Sequence, residues 1–94
     1  DRGNKIQDSF RISQGGISGT VIDVRVILKP ALEKQSSNII LCHNHPSDTL
    51  QPSHADRQSI TKIKDAAKLM DISVLDHIII GQNKYFSFAD EGIL

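Results

Sequence analysis

Two histidines lie two residues apart near the middle of the chain, at His43 and His45. The preceding run, Ile39 to Cys42, is apolar without alternation, which predicts a central strand buried on both faces. Side chains two residues apart on a strand project from the same face, so the two imidazoles can bind one metal ion. Pro46 cannot donate a ladder hydrogen bond and is expected to end the strand, which places the pair at its carboxyl end. Pockets of α/β sheets form at that end.

A carboxylate follows on the buried side of a predicted helix. Asp56 precedes Ile60 by four residues, so it shares the apolar face of the helix predicted over residues 53–70. A lone carboxylate directed into a core is costly unless it is paired, and a divalent cation held by two neutral imidazoles is a suitable partner. Two His and one Asp would leave the fourth position of a tetrahedral zinc ion open for water, as in catalytic zinc sites. The apolar face recurs at intervals of three and four residues: Ile60, Ile63, Ala67 and Met70.

The segment 53–56 also fits a second interpretation, an N-terminal capping box. In that motif the Ser53 hydroxyl accepts a hydrogen bond from the helix backbone, and the Asp56 carboxylate accepts one from the Ser53 amide. Caps are far commoner than metal sites, so the segment by itself favours the cap, whereas the histidine pair favours the metal site. His43 and His45 could each also be a hydrogen-bonded core histidine. The sequence leaves these interpretations open.

The spacing H-x-H-P-S, with Ser53 and Asp56 following, resembles the JAMM (MPN-plus) metalloprotease motif. The segments 75–81 and 85–88, followed by Glu91-Gly92, resemble the bacterial RadC-like branch of that superfamily. The resemblance extends over nearly the whole chain. It implies an α/β fold of the MPN/JAMM type (cytidine-deaminase-like), with a mixed sheet flanked by helices.

The same resemblance implies a single domain over residues 1–94 and a chemistry for it. Zinc would be held by His43, His45 and Asp56, and Ser53 would help to stabilise the oxyanion of a tetrahedral intermediate. The superfamily's reaction is hydrolysis of peptide or isopeptide bonds, so a peptide or protein substrate is expected.

One position departs from the family pattern. RadC-like relatives carry a glutamate that orients and deprotonates the attacking water, in a Ser-Glu-Gly-Gly-like segment, and this chain has Gln14 there. Glutamine can hold a water but cannot accept its proton, so a contribution on the order of 10²–10⁴ in rate should largely disappear. Asp8 and Asp48 are the acidic residues that could substitute, and Asp48 itself stands where relatives usually have Gly.

Gln14 leaves several explanations open: a natively poor enzyme, an inactivating change, or a different alignment of this segment. The sequence therefore predicts a zinc hydrolase of the metallopeptidase type with weak or absent activity. The alternative is a non-catalytic interaction module associated with DNA repair or nucleoprotein partners. Gln14 favours this alternative, and the intact ligand set opposes it.

Length and charge limit the classes of function. The chain has 94 residues, 38% of them hydrophobic, which is enough for one compact domain. It begins without methionine and its relatives are longer at the amino end, so we expect an excised C-terminal domain. Eleven basic residues balance eleven acidic ones, which gives no direct DNA-binding signal and argues against a DNA-repair nuclease. No apolar stretch approaches the roughly 18 residues that span a membrane, so we expect a cytoplasmic domain.

The remaining pattern predicts the order of elements. Strands are expected over residues 5–13 and 19–22, then a helix capped by Asp23 in which Pro30 causes a kink or a late start. The strand over 39–43, a loop over 46–52 and the helix over 53–70 follow. A hairpin of strands 73–80 and 84–88 closes the sheet. Cys42 is predicted to be a small core residue.

Asp76 and His77 are adjacent in the strand predicted over residues 73–80. Adjacent strand residues point to opposite faces, so we expect that these two do not serve one substrate together. His77 is predicted to be a structural residue whose hydrogen bonds are satisfied.

Overall fold

The computed structural model describes residues 8–10, 23–45 and 49–94. Most of the strand predicted over residues 5–13 and all of the strand predicted over 19–22 lie outside the described residues. Residues 8–10 have no regular secondary structure. The described elements follow in the order α1 (Val24–Glu33), β1 (Asn38–Asn44), α2 (His54–Leu69), β2 (Ser73–Ile80) and β3 (Tyr85–Ser87).

The strands form a mixed sheet in the order β1-β2-β3. β1 and β2 are parallel, with Leu41 opposite His77 and His43 opposite Ile79. β3 returns antiparallel to β2, which confirms the predicted hairpin. Three strands and two helices in this arrangement are consistent with the predicted MPN/JAMM-like fold. No helix in the described part of the chain combines the length and the apolar character that crossing a membrane requires.

One hydrophobic core joins both helices to one face of the sheet. α1 contributes Leu28 and Ala31, and Ile39 and Leu41 of β1 pack against the core. The predicted apolar face of α2 is buried at three of its four positions, Ile60, Ile63 and Ala67. The fourth, Met70, is 51% exposed because the helix ends at Leu69 and the chain turns away.

The prediction that β1 is buried on both faces is wrong. Its burial alternates, and Ile40 is 51% exposed. Cys42 lies on the same exposed face, so its prediction as a core residue is also wrong. An unbroken apolar run cannot by itself distinguish burial on one face from burial on two. Partial burial, followed by the nearby Asp76 carboxylate, raises the pKa of the Cys42 thiol, which keeps it in the weakly nucleophilic protonated form.

The start of α1 tests one of the two effects expected of Pro30, a late start of the helix. The Asp23 side chain caps it by accepting a hydrogen bond from the Arg25 amide at 3.0 Å, and the helix starts at Val24. Pro30 lies inside the helix, so the expected late start is wrong. The burial of Leu28 and Ala31 on either side of Pro30 offsets the missing backbone donor.

The Asp76 side chain lies on the face of the sheet opposite the helices and connects β2 to the chain around the end of β3. Its carboxylate accepts hydrogen bonds from the His77 amide at 2.7 Å, the Ala89 amide at 2.9 Å and the Ser87 hydroxyl. The Ser87 hydroxyl in turn accepts one from the Asp90 amide at 3.1 Å. One carboxylate therefore joins β2 to β3 and to the turn that follows it.

We expect Asp76→Ala to lower the free energy of unfolding by about 1.5–3 kcal/mol, because hydrogen bonds to a charged group are lost and their donors remain. Urea denaturation followed by circular dichroism measures the change. Asp65→Ala, on the exposed surface of α2, removes the same charge and should stay within about 0.5 kcal/mol of the parent chain. Equal unfolding midpoints for the two variants would contradict the role assigned to Asp76.

Candidate metal centre

Three potential ligands meet at the carboxyl end of β1. His43 lies in that strand, His45 follows it directly, and Asp56 is the third residue of α2. Each offers one ligand atom, and the three atoms lie within 4.8 Å of one another. The tertiary structure thus brings together the three residues that the sequence predicted as ligands, from segments separated by a loop. Among the described residues, His43, His45 and Asp56 are the group of potential ligands close enough together to hold one metal ion.

The two imidazoles face each other through the nitrogen atoms that a metal would use. The Nε2 atoms of His43 and His45 are 3.0 Å apart, with the rings tilted by 49°. Two imidazole nitrogens on one tetrahedral zinc ion, each at the usual bond length, would be separated by about 3.3 Å. A small opening of the pair would therefore admit the ion, so the donor set fits zinc in both type and spacing.

A backbone carbonyl sets the orientation of His45. Its Nδ1 lies 3.1 Å from the carbonyl oxygen of Thr49. A carbonyl can only accept, so we assign the hydrogen of the neutral ring to Nδ1. The Nε2 atom then carries a lone pair directed toward His43, which is the form of imidazole that coordinates a metal.

The capping box and the metal cluster share the same carboxylate. Asp56 Oδ2 accepts from the Ser53 amide at 2.9 Å, and Ser53 Oγ accepts from the Asp56 amide at 3.0 Å. Both halves of the predicted cap are therefore present. An ionised carboxylate has about four lone-pair sites, so one hydrogen bond leaves capacity for a metal. The two interpretations that the sequence set against each other are compatible.

The cap also holds a charge where the fold favours it. Asp56 is only 6% exposed, yet it sits in the first turn of α2, where the unpaired amides of the helix stabilise a negative charge. Ser53 is exposed at the same helix end, and its hydroxyl keeps its hydrogen for a further partner. The predicted oxyanion role of Ser53 stays a prediction.

Burial keeps His43 neutral. Desolvation is the main cause that lowers the pKa of this ring, with the neighbouring His45 adding to it and Asp56 acting in the opposite direction. A neutral imidazole retains the lone pair that a metal needs. The environment of His43 therefore favours coordination over protonation at neutral pH.

His77 is the residue whose connection to this site the sequence did not reveal. Its side chain is 1% exposed, and its Nε2 lies 2.8 Å from His43 Nδ1. Burial is the main cause that lowers the pKa of His77 to about 4. The rings of His77 and Phe88 pack in a T-shaped contact, with centroids 4.9 Å apart.

The prediction for His77 holds only in part. As expected, Asp76 and His77 point to opposite faces of β2. The expectation of satisfied hydrogen bonds is confirmed at Nε2, which lies 2.8 Å from His43 Nδ1, but not at Nδ1, which is buried and has no partner among the described residues. The sequence contained one signal of this contact. His77 is two residues from Ile79, so the two side chains share the core-facing side of β2. β2 follows α2 and can therefore lie beside the strand that carries His43.

Three further candidate residues remain. Gln14 and Asp48 lie outside the described residues, so their predicted roles stay predictions. Asp8 is exposed, and its carboxylate lies 3.5 Å from Lys34 Nζ, beyond the end of α1. It does not belong to the metal-capable group.

The sequence is similar to a family of bacterial proteins. The family model described as "RadC-like JAB domain" matches residues 1–93. A UPF0758 protein of Flavobacterium johnsoniae is 51% identical over 90 residues, covering 96% of this chain and 39% of the relative. A UPF0758 protein of Porphyromonas gingivalis is 45% identical over 95 residues, covering 100% of this chain and 42% of the relative.

A third UPF0758 protein, from Chlorobaculum tepidum, is 42% identical over 91 residues, covering 97% of this chain and 41% of the relative. The chain thus spans about two fifths of the length of these relatives. The family match covers nearly every residue and includes the three residues that converge at the end of β1. The chain belongs to the RadC-like JAB domain family.

Proposed function

We propose that this chain is a zinc-dependent hydrolase-type domain that acts on peptide or isopeptide bonds, with activity weakened by Gln14. The observation that carries the proposal is the convergence of His43, His45 and Asp56 within 4.8 Å. Two neutral imidazoles and one carboxylate form a donor set typical of zinc, and three protein ligands leave a position for water or substrate. The family membership supports the same chemistry.

Each residue has a separate task in this proposal. His43, His45 and Asp56 would hold the ion, and their combined charge of one negative partly balances a divalent cation. When bound, zinc supplies a Lewis acid that polarises a carbonyl and acidifies a water molecule. Ser53, exposed beside the cluster, would donate its hydroxyl hydrogen to the oxyanion that develops during attack.

Gln14 limits the rate in this proposal. Its carbonyl oxygen can orient the attacking water, but an amide does not accept a proton at neutral pH. Proton removal would then depend on solvent or on another carboxylate. Asp48 is the nearer of the two acidic candidates in sequence to the histidine pair.

The second candidate function is a non-catalytic interaction module, associated with DNA repair or a nucleoprotein partner. Gln14 favours it, because a binding module needs no general base. The balanced charge of the chain favours a protein surface over direct contact with DNA. The test that separates the two functions is whether a restored base produces turnover.

A zinc-dependent melting experiment separates the ligand role of Asp56 from its capping role. Zinc at about 100 times its dissociation constant should stabilise the chain by about 2.7 kcal/mol, or roughly 10–20 °C in melting temperature. Asp56→Asn keeps an oxygen that can accept from the Ser53 amide but is a weak, uncharged ligand. We expect it to melt near the parent chain without metal and to lose most of the response to zinc.

Ser53→Ala is the matched control for that measurement. It removes the hydroxyl that caps α2, so it should cost about 0.5–2 kcal/mol without metal and still respond to zinc. Differential scanning fluorimetry of the three chains, with chelator and with added zinc, gives both quantities. A full zinc response in Asp56→Asn would sink the ligand assignment.

An activity assay tests the role proposed for Gln14. With zinc bound, Gln14→Glu supplies a carboxylate that can accept a proton from the attacking water, so hydrolysis should rise by roughly 10²-fold or more. The assay is cleavage of a peptide and isopeptide library, with release of amines as the readout. The gain should vanish with chelator or when His45→Ala is added.

A Gln14→Glu chain that binds zinc and shows no gain would favour the interaction module. Asp48→Asn in the parent chain completes the comparison. Loss of a basal activity there would identify Asp48 as the working base in place of the position at Gln14.

A further inference from the structure

The outer face of the sheet, opposite the helices, carries an open cavity that the proposed metal centre does not use. Ile78 of β2 lies opposite Ser87 of β3, and Ile80 lies opposite Tyr85. Residues directly opposite each other in an antiparallel pair have Cβ atoms about 5 Å apart, so these four side chains form one continuous floor. The cavity, which we call the outer-face cavity, has a volume of about 470 Å³ and six lining residues: Asp76, Ile78, Ile80, Tyr85, Ser87 and Asp90.

Much of this floor is apolar and accessible. Tyr85 is 65% exposed and Ile80 is 40% exposed. The helices pack against the other face of the sheet, so neither α1 nor α2 covers these side chains. Apolar side chains grouped in a concave site lose contact with water when a partner binds there, which favours binding.

Two carboxylates give the outer-face cavity a negative charge. The Asp76 carboxylate accepts three hydrogen bonds, so one of its roughly four lone-pair sites stays open. Asp90 is exposed, and its amide donates to the Ser87 hydroxyl, which keeps it close to the first carboxylate. Neither Asp76 nor Asp90 forms an ion pair with a described residue. A cation from outside these residues would complete the site.

Charge decides which class of occupant suits the cavity. The segment 73–94 contains three acidic residues, Asp76, Asp90 and Glu91, against one basic residue, Lys84. A second copy placed face to face would bring the same carboxylates together, and nucleic acid or anionic lipid would be repelled. A cationic side chain is attracted. Arginine suits the site better than lysine, because its planar fork can donate to two carboxylates while its stem covers apolar surface.

The length of the cavity indicates that more than one side chain fills it. Asp76 and Ile80 are four residues apart along β2, which corresponds to about 13 Å. A single arginine side chain does not cover that distance and the apolar floor beside it. Apolar neighbours of the arginine would have to contact the end of the cavity formed by Ile80 and Tyr85.

We propose that the outer-face cavity is a docking site for a segment of a protein partner that carries an arginine beside apolar residues. The guanidinium donates to Asp76 and Asp90, and the neighbouring apolar side chains lie on Ile78, Ile80 and Tyr85. The cavity and the metal ligands lie on opposite faces of the sheet. Docking therefore requires neither zinc nor the hydrolytic activity proposed above.

NMR titration of the nitrogen-15-labelled chain with three capped pentapeptides tests the proposal. The peptides have the sequence Gly-Leu-X-Leu-Gly, in which X is arginine, citrulline or glutamate, and citrulline has the shape of arginine without its charge. Chelator is present throughout, so the metal site does not enter the result. The arginine peptide should shift the amide signals of Ile78, Ile80 and Ser87. It should bind roughly two- to five-fold more tightly than the citrulline peptide, the range of an exposed ion pair, and the glutamate peptide should bind most weakly.

Two substitutions separate the charged part of the site from its apolar part. Asp90→Asn keeps the size of the side chain, so it should remove most of the preference for arginine and leave the affinity for citrulline unchanged. Tyr85→Thr keeps a residue suited to a strand but removes the ring. It should weaken the arginine and citrulline peptides by the same factor, roughly two- to ten-fold. Asp65→Asn, at an exposed position of α2, is the matched control and should change none of the affinities.

Several outcomes would overturn the proposal. They are equal affinity of the parent chain for the arginine and citrulline peptides, signal changes confined to α2, and the absence of any shift with all three peptides. Amide signals of Ile78 and Ile80 that move with the concentration of the chain alone would assign this face to a second copy instead. Circular dichroism checks that each variant is folded. Should Tyr85→Thr fail to fold, the peptide comparison in the parent chain and in Asp90→Asn still decides the question.

Discussion

The parallel pairing of β1 with β2 is the constraint on which the site depends. Parallel strands need a crossover connection, and here α2 supplies it, so the amino end of α2 starts near the carboxyl end of β1. That geometry brings Asp56 to the histidine pair. The pairing also continues past the strand, because the His45 amide donates to the Ile80 carbonyl at 2.9 Å. The second histidine is therefore held by the sheet and not only by the loop after it.

The site combines polar groups with a largely apolar core, and hydrogen bonds make this tolerable. Asp56 is stabilised by the Ser53 amide and by the start of α2, and His43 is placed between two other imidazoles. Desolvation disfavours the charged form of a buried imidazole, which keeps His43 and His77 neutral. Neutral rings beside one carboxylate are the state that a divalent cation requires. The burial that stabilises the fold thus also keeps His43 and His77 in their neutral forms.

The two faces of the sheet carry different sets of contacts, and β2 contributes to both. The inner face carries the core and the rings of His43 and His77, whereas Asp76 on the outer face binds the segment 87–89 at the end of β3. That segment includes Phe88, which is 1% exposed and packs against His77. The backbone adds to the connection, since the Phe88 amide donates to the His77 carbonyl at 3.0 Å. The adjacent Asp76 and His77 therefore contact the same segment from opposite faces of β2.

Local periodicity let the sequence by itself determine much of this site. The strand period of two placed His43 and His45 on one face, the helix period placed Asp56 with the apolar stripe, and the capping pattern of Ser53 and Asp56 was correct. These are relations within one element, where backbone geometry fixes the spacing. The exposure of Ile40 and Cys42 was beyond such reasoning, because it depends on which face of β1 the helices cover.

Only the tertiary structure decided the relations between elements. The sequence set the cap against the ligand role of Asp56, and the packing of α2 against the end of β1 places the capping carboxylate within 4.8 Å of the histidine nitrogens. The contact between His77 and His43 depends on the register of two strands that are separated by a whole helix, and no local period encodes that register. Gln14 was recognised by its motif alone, and its place relative to the cluster depends on the packing of a segment that precedes every described helix and strand.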